Sequence, residues 1–396
     1  MTSRLRIVVT GLIAQYPLGG VTWDYVQYAA GLARLGHDVY YVEDTGQWPY
    51  NPAEGGLGKD CAFNVAYLAG VMERFDLVDR WAYRFPWHSQ WFGMSDARRN
   101  GAIASADLLI NVSGTLARPE EYGAARRLAY IDSDPVFTQV KIARGQHDLR
   151  RMIDLHDVHF SFGECLGPDV PATGHTWLPT RQPILLDEWR SAAPPSGAAF
   201  TTIMNWTSYN EVAHDGRTYG QKDVEFRRFL ELPSAVAPNM LEIALSDGRT
   251  RHAPRELLAH HGWRIVDPAS VCPDVESYRA YIQSSRAEWS VAKNGYVAGQ
   301  AGWFSCRSAC YLAAGRPVVV QDTGFTRVLP SGDGIVAFSS FDEAAAAVRD
   351  VEARYEHHAG AARGIAESWF DSRTVLASLI ERAFAGTPAA MQGVAL

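Results

Sequence analysis

The residues best suited to chemistry lie in segment 299–325. The segment combines a glycine-rich entry, small residues at helical spacing and an apolar run that ends in Asp322-Thr323-Gly324. We expect a helix to begin near Ser305 and the apolar run to form a buried strand. A helix N-terminus offers free N–H groups and a partial positive charge, and a loop at the carboxyl end of a strand offers further N–H groups and a hydroxyl. The segment therefore predicts a phosphate-binding site.

Three basic side chains of the second half are candidates for contact with that phosphate. Arg307 is predicted to lie in the first turn of the helix, where a guanidinium can make a bidentate contact. Lys222 is predicted to open another helix, where the helix dipole disfavours a lysine unless an anion is near. Lys293 follows a predicted strand, at the end where open sheets bind ligands. Lysine is rare in this chain, but a solvated surface side chain is the alternative for both lysines.

The same segment resembles the donor-binding half of glycosyltransferases with the GT-B fold. The run 312–325, Leu-Ala-Ala-Gly-Arg-Pro-Val-Val-Val-Gln-Asp-Thr-Gly-Phe, is similar to the small-residue helix, Gly-x-Pro-Val-Val strand and Asp-x-Gly-Gly loop beside the sugar diphosphate. Residues 302–305, Gly-Trp-Phe-Ser, resemble the Gly-Trp-Asn-Ser of the inverting, UDP-sugar-using branch. The resemblance implies a nucleoside diphosphate sugar as co-substrate, an unknown acceptor, no metal or other cofactor, and a diphosphate contact from Lys222.

The chain also departs from both branches of that fold. Retaining members have two glutamates eight residues apart around this helix, and alignment through Gly315 and Pro317 puts Gly302 and Cys310 there. Inverting members have a His before Gly-Trp, where this chain has Gln300, and the spacing to Gly-x-Pro differs. The sequence therefore leaves the stereochemistry open.

Two aspartates after a predicted strand at 127–132 are candidates for the catalytic group. Glycosyl transfer needs a group that takes the proton of the acceptor hydroxyl or steadies the positively charged transition state. Asp132 and Asp134 close the strand in Ile-Asp-Ser-Asp-Pro. The alternative is a turn, because Asp and Asp-Pro favour turns.

A third candidate, Asp24, belongs to the first turn of a predicted helix at 21–35. Inverting GT-B enzymes place a general base near this point, whereas an acid in a first turn also simply stabilises the helix dipole. The preceding loop contains Gly19 and Gly20, which we count among the donor-binding candidates.

Other functions follow from other features. Glu43-Asp44 ends the second predicted strand, where an acid binds ribose in nicotinamide-dependent oxidoreductases, but the preceding loop is not GxGxxG. A nucleotide-sugar epimerase of the same fold and a non-catalytic nucleotide-sugar binder are further alternatives. No HExxH motif, other metal-binding set, Walker loop or Gly-x-Ser-x-Gly is present.

Alternating strands and helices must position these groups. A βαβ rhythm opens the chain and restarts near residue 200, after a Pro-rich stretch typical of an interdomain connection. We therefore predict an α/β protein with two Rossmann-like domains facing a central cleft, the GT-B architecture. The predicted parts are a first, acceptor-side domain at 1–182, a hinge at 183–198, a donor-binding domain at 199–370, and a C-terminal helix or tail at 371–396 that can pack back on the first domain.

Composition excludes several partners. The formal net charge of the 396 residues is −7 and no Lys/Arg run occurs, which argues against nucleic-acid binding. No run of 18 apolar residues exists to span a membrane. Without a signal peptide or a paired set of cysteines, we expect a cytoplasmic protein. The abundance of Arg and Ala suggests a bacterial gene.

Overall fold

Two β-sheets organise the chain, and both are built almost wholly from parallel strands. The computed structural model describes residues 4–190, 192–248 and 250–385. The first sheet has the order β10-β9-β8-β7-β1-β2-β5-β6, in which only β6 is antiparallel to its neighbour. The second has the order β15-β14-β11-β16-β17-β18 and is parallel throughout. The predicted fold class, two Rossmann-like α/β domains, is confirmed.

The strands of the first half are β1 (Arg6–Thr10), β2 (Asp38–Glu43), β3 (Tyr50–Asn51), β4 (Gly56–Leu57), β5 (Trp81–Phe85), β6 (Gln90–Gly93), β7 (Leu108–Val112), β8 (Leu128–Asp132), β9 (Val158–Ser161) and β10 (Trp177–Pro179). Those of the second half are β11 (Phe200–Thr207), β12 (Val212–His214), β13 (Arg217–Tyr219), β14 (Leu241–Gly248), β15 (Arg264–Val266), β16 (Ala287–Ser290), β17 (Val318–Gln321) and β18 (Ile335–Phe338). Small hairpins are formed by β3–β4 and β12–β13.

The α-helices are α1 (Gly19–Arg34), α2 (Ala62–Arg74), α3 (Asp96–Ala104), α4 (Phe137–Ala143), α5 (His147–Asp154), α6 (Lys222–Phe226), α7 (Leu232–Val236), α8 (Arg255–His260), α9 (Pro268–Val271), α10 (Val275–Ser284), α11 (Asn294–Gly299), α12 (Cys306–Ala313), α13 (Phe341–Ala353), α14 (Tyr355–Ile365) and α15 (Ser372–Phe384). None of the helices in the described ranges combines the length and the apolar character that a membrane crossing needs.

The strands that carry the candidate residues are fully buried, as short β-branched runs in a parallel sheet should be. In register, Ile7 of β1 lies between Val39 of β2 and Leu108 of β7. In the second sheet, Phe200 of β11 lies between Leu241 and Ala287. Parallel order brings the carboxyl ends of neighbouring strands to one edge of each sheet, which is where the candidate side chains gather.

Segment 48–100, which is rich in Trp, Tyr and Gly, is largely built from regular elements. It contains α2, the antiparallel pair β5–β6 and part of α3. The helix packs through Leu68 and Met72, which are spaced one helical turn apart and are completely buried. The many aromatic residues around it masked this spacing in the sequence.

The two halves are packed closely against each other. The Trp23 indole donates to the carbonyl of Val275, with 2.9 Å between Nε1 and O. At the other end of the chain, Ile184 pairs with Asp371, and α15 then lies on α1, where Leu376 contacts Gly31 so closely that a Cβ there would be 2.6 Å away. Residues 386–396 of the predicted C-terminal segment lie outside the described residues.

Candidate functional site

The carboxyl ends of the two sheets face each other across a cleft. Asp24 comes from α1 in the first domain, and Lys222 and Arg307 come from the starts of α6 and α12 in the second. The positive charge of Arg307 lowers the pKa of both Asp24 and Lys222, so the three charged groups lie close together. The fold therefore gathers one acid and two bases from distant parts of the sequence.

The position and environment of Lys222 suit a contact with an anion. It is the first residue of α6, as predicted, and is partly exposed. In the part of the chain that the structure describes, its ammonium makes no hydrogen bond or ion pair. Burial lowers its pKa well below the usual lysine value, and Arg307 and Lys293 lower it further, with Glu288 only partly opposing them. An anion bound here would relieve both the desolvation and the repulsion.

Arg307 does not have the free guanidinium that we predicted. It does lie in the first turn of α12, but all three of its nitrogens are occupied: Nε by Glu288 Oε1 at 2.6 Å, Nη1 by the Ile203 carbonyl at 2.8 Å and Nη2 by Ser290 Oγ at 3.0 Å. Glu288 is fully buried, so the arginine balances its charge. The predicted bidentate phosphate contact is therefore corrected: Arg307 supplies positive field to the cleft while it holds β16 and β11.

Asp24 lies deeper in α1 than predicted. Because the helix begins at Gly19, Asp24 belongs to the second turn, and it is not a first-turn acid that merely meets the dipole. Its side chain is open to the cleft, and it accepts a hydrogen bond from the thiol of Cys306, the first residue of α12. Desolvation raises the pKa of Asp24 to about 6, although Cys306 and Arg307 oppose the rise. It is thus an ionised but basic carboxylate at neutral pH.

Asp132 is a structural residue. Its side chain is 1% exposed, and its two oxygens accept hydrogen bonds from Thr138 Oγ1 at 2.7 Å, Gln139 Nε2 at 2.9 Å and Ser161 Oγ at 3.1 Å. This network joins the end of β8 to α4 and β9. A carboxylate enclosed in this way is not open to an acceptor hydroxyl, which corrects the predicted catalytic role.

Asp134 and Lys293 are paired with each other. The Asp134 carboxylate binds Lys293 Nζ at 2.9 Å and accepts from the Tyr209 hydroxyl at 2.5 Å and from the Tyr296 hydroxyl. We call these four residues the interdomain clasp, because Asp134 belongs to the first domain and the others to the second. Burial opposes ionisation of Asp134, but Lys293, Lys141 and the two hydroxyls outweigh it and lower its pKa. In this arrangement Asp134 is a poor proton acceptor and Lys293 is not free for phosphate.

The predicted phosphate-binding segment lies at the edge of the cleft. Ser305 is the N-cap of α12 and its side chain makes no capping hydrogen bond. Ser305, Arg307 and Thr323 line a small cavity at the ends of β16 and β17. The space open to the centre of a water molecule is about 20 Å³, room for about one water. A diphosphate does not fit inside this cavity, which is lined by residues of the second domain alone.

The Asp322-Thr323-Gly324 loop satisfies its own polar groups. Asp322 Oδ1 accepts from the Gly324 N–H at 2.9 Å, and the Thr323 hydroxyl donates to the Trp303 carbonyl. Gly324 has φ +88° and lies so close to the Gln300 carbonyl that a Cβ would be 2.6 Å from its oxygen. These contacts fix the conformation of the loop. The loop borders the cleft because it lies beside Ser305.

Gly19 and Gly20 do not form a loop, contrary to our expectation. They are the first residues of α1 and pack against α10 of the second domain. A Cβ on Gly19 would lie 2.2 Å from the Asp274 carbonyl oxygen and 2.5 Å from Cβ of Tyr278. Close packing between the domains explains the glycines without a bound donor.

Glu43 and Asp44 cannot reach a ribose. Glu43 is completely buried and accepts hydrogen bonds from the Ala14 N–H at 2.9 Å and the Tyr41 hydroxyl at 2.8 Å. Asp44 is 1% exposed and accepts from Arg118 at 2.9 Å. The acid pair thus has structural partners, and the oxidoreductase alternative loses the feature that suggested it.

Sequence reasoning missed Tyr209, Glu288 and Cys306. Tyr209 follows the carboxyl end of β11, a place that could have marked it. Glu288 lies inside a strand and Cys306 inside the predicted helix, and nothing local distinguishes them. Within the described ranges, no group of three or more His, Cys, Asp or Glu side chains is placed to hold a metal ion.

Several solved structures share this architecture and are distant in sequence. Sucrose-phosphate synthase from Thermosynechococcus elongatus is 12% identical, with a TM-score of 0.53 and coverage of 97% of this chain and 100% of its own. An α-glucosyltransferase in complex with UDP and a 13-mer DNA is 10% identical, with a TM-score of 0.58 and coverage of 97% and 100%. Anabaena HepE in complex with UDP-glucose is 11% identical, with a TM-score of 0.56 and coverage of 96% and 99%.

The likeness to these structures extends over nearly the whole chain. No family model matches this chain, and no curated protein matches it in sequence. The chain has the GT-B fold.

Proposed function

We propose that this GT-B protein transfers a glycosyl group from a nucleoside diphosphate sugar to an acceptor. The second domain binds the donor, and the first domain holds the acceptor in the cleft. The observation that carries the proposal is Lys222, a desolvated cation without a partner in the described residues, in the same cleft as the basic carboxylate of Asp24. An anionic ligand and a proton acceptor side by side are what this transfer requires.

The donor diphosphate would meet Lys222 and the N-terminus of α12. Negative charge develops on the diphosphate as the bond to the sugar breaks, and fixed positive charge at that point stabilises the transition state. Lys222 supplies a full charge, Arg307 adds field from behind, and the helix start at Ser305 adds N–H groups. With charge supplied in this way, the reaction needs no metal ion. UDP is the first nucleotide to test, because two of the similar structures contain UDP or UDP-glucose.

Asp24 would act as the general base. The acceptor oxygen forms a bond to the anomeric carbon, its proton passes to the Asp24 carboxylate, and the nucleoside diphosphate leaves with the electron pair of the broken bond. A base with a pKa of about 6 is ionised at neutral pH yet takes up a proton readily. Its contact with Cys306 places it at the start of α12, beside the proposed diphosphate position.

Two measurements test this proposal. Calorimetric titration with UDP, dTDP, GDP and NAD identifies the nucleotide, and we expect a nucleoside diphosphate to bind while NAD does not. Incubation with the sugar nucleotide of the best binder, with and without a panel of saccharide and small-molecule acceptors, is then followed by release of free nucleoside diphosphate. Release that depends on acceptor supports a transferase. Conversion of the donor sugar without release would identify an epimerase instead, and binding without turnover a non-catalytic binder.

A further inference from the structure

Two loops of the first domain carry aromatic side chains that are open to solvent. Trp48 follows the carboxyl end of β2 and is partly exposed, and Trp87 follows the carboxyl end of β5 and is 57% exposed. Their ring centroids are 5.7 Å apart, with the planes inclined by 42°. We call these two residues the tryptophan pair. Because parallel strands end at one edge of the sheet, the pair lies on the same edge as the start of α1, the helix that carries Asp24.

Buried polar side chains hold the loop of Trp48 in place. Gln15 accepts from the Thr45 hydroxyl at 2.9 Å and donates to the Trp48 carbonyl. Asn64, which is 1% exposed, donates to the Tyr50 carbonyl at 2.8 Å. The loop is therefore ordered before any ligand arrives, which lowers the entropy lost on binding.

The turn that carries Trp87 has an unfavourable backbone. His88 has φ +54° and Ser89 has φ +52°, so two consecutive residues other than glycine occupy the left-handed region. Such residues are costly and cluster at ligand-binding sites. An indole that stays more than half exposed gains little for the folded core in return. The turn thus has the features of a segment that is shaped for a contact outside the folded chain.

The composition of the two loops indicates a neutral ligand. Residues 45–51, Thr-Gly-Gln-Trp-Pro-Tyr-Asn, and residues 85–91, Phe-Pro-Trp-His-Ser-Gln-Trp, contain no Asp, Glu, Lys or Arg. An anionic lipid surface or a nucleic acid would need basic residues here. The loops instead combine aromatic faces with amides and hydroxyls. A pyranose ring matches both, because it has an apolar face of C–H groups and hydroxyls that donate and accept.

Tyr16 and Tyr50 continue the aromatic surface towards Asp24. Tyr50 lies two residues after Trp48, and its ring centroid is 6.2 Å from that of Tyr16. Burial raises the pKa of Tyr25, and the nearby Tyr16 adds to this rise, so Tyr16 lies close to the residue that follows Asp24 in the chain. An extended ligand can therefore lie along this edge of the sheet, from the tryptophan pair to the proposed base.

We propose that the tryptophan pair binds one pyranose ring of an oligosaccharide acceptor, away from the hydroxyl that receives the sugar. The C–H face of that ring packs on the exposed indole of Trp87, and its hydroxyls exchange hydrogen bonds with the exposed side chains of Gln47 and Ser89. Another unit of the same saccharide presents its hydroxyl to Asp24. This inference rests on the proposed function and deepens it, because it names the acceptor as a neutral saccharide of at least two units.

The test compares three variants with the unmodified protein. Trp87→Ala removes the exposed indole, and Trp87→Phe keeps an aromatic face at the same place. Trp369→Ala is the matched control, because Trp369 is an exposed tryptophan of the second domain, at 40% exposure. An array of neutral oligosaccharides, probed with labelled protein in the presence of UDP, identifies the saccharide. Calorimetry then measures the affinity for that oligosaccharide, for its constituent monosaccharide and for UDP.

We expect Trp87→Ala to weaken oligosaccharide binding by roughly ten-fold, while Trp87→Phe and Trp369→Ala bind it nearly as the unmodified protein does. Affinity for the monosaccharide and for UDP should be the same in all four proteins, because neither needs the tryptophan pair.

Three results would overturn the inference: no neutral oligosaccharide binds to the unmodified protein, Trp87→Ala binds it as tightly as Trp369→Ala does, or Trp87→Ala instead loses binding to phosphatidylglycerol vesicles. The last result would identify a membrane surface as the partner. Failure of the proposed function gives a different pattern. Oligosaccharide binding that depends on Trp87, without any binding of UDP, would support the saccharide site and contradict the donor site.

Discussion

Asp134 of the first domain and Lys293 of the second form an ion pair across the cleft, with 2.9 Å between Oδ1 and Nζ. The two residues are 159 positions apart in the chain. Their side chains are 27% and 16% exposed, and Tyr209 and Tyr296 donate to the same carboxylate. This clasp holds together the facing edges of the two domains.

Asp134→Asn should loosen the clasp. The variant keeps the shape but leaves Lys293 without its counter-ion, and we expect the free energy of unfolding to fall by roughly 1–3 kcal/mol. Since the pKa of Asp134 is lowered in the folded protein, its stabilisation is present above the usual aspartate pKa and is lost as the pH falls through the lowered value. The difference from the unmodified protein should therefore be full at neutral pH and vanish in strong acid. Denaturant titration over a pH series measures it.

Asp169→Asn is the matched control for that experiment. Asp169 and Arg217 also pair across the domains, at 3.2 Å, but both side chains are exposed. Exposed pairs contribute little, so this variant should unfold like the unmodified protein. Equal losses in the two variants would show that burial of the clasp is unimportant.

Arg307→Met should destabilise the fold more than it weakens nucleotide binding. It leaves Glu288, which is completely buried, as an unpaired carboxylate, at a cost of roughly 3–5 kcal/mol. The double variant Arg307→Met/Glu288→Gln removes both charges and should recover most of that loss. Thermal unfolding compares the three proteins. A single variant that is as stable as the unmodified protein and has lost only UDP affinity would contradict the structural role.

Asp24→Asn should abolish transfer without abolishing donor binding. Loss of a general base lowers the rate by roughly 10²–10⁴. In the unmodified protein only the ionised carboxylate can take the proton, so kcat/KM should fall as the pH drops below about 6, the pKa that desolvation gives Asp24. A pH–rate profile measured with UDP-glucose and an acceptor checks this fall of kcat/KM on the acidic side. A variant with a near-normal rate would remove Asp24 from the mechanism.

Binding of UDP should take up protons through Lys222. The pKa of the free lysine is lowered, and a bound diphosphate restores it towards its usual value. In mildly alkaline solution, calorimetry in buffers of different ionisation enthalpy should reveal this uptake, and Lys222→Met should lack it.

Lys222→Met should also unfold at a higher temperature than the unmodified protein when no ligand is present. The gain in unfolding temperature should be largest at low pH, where Lys222 of the unmodified protein is charged and destabilises the fold. It should vanish as the pH rises towards the ordinary lysine pKa, where the lysine is neutral in the folded protein.

Local patterns predicted much of the fold. The β-branched run of β17, the small residues of α12 and the glycines between them point to a strand and a helix without reference to the rest of the chain. Lys222 was identified by its unfavourable place at a helix start, a local signal of an absent partner. These signals are short-range, and the structure reproduces them.

Long-range pairings escaped prediction. Arg307 looked free because Glu288, its partner, lies 19 residues away in a strand that reads as plain core. Asp134 and Lys293 were each matched to a ligand, whereas the folded chain matches them to each other. The hydrogen bond between Asp24 and Cys306 is likewise a contact that only the packing of the two domains creates. Local composition carries no record of such contacts.

The most direct test of the account is titration of UDP into the unmodified protein, Lys222→Met and Lys59→Met. Lys59 is an exposed lysine of the first domain and serves as the control. We predict that Lys222→Met weakens UDP binding by roughly ten-fold or more, while Lys59→Met binds UDP as the unmodified protein does. Equal affinity in all three proteins would contradict the claim that the cleft binds a diphosphate through Lys222.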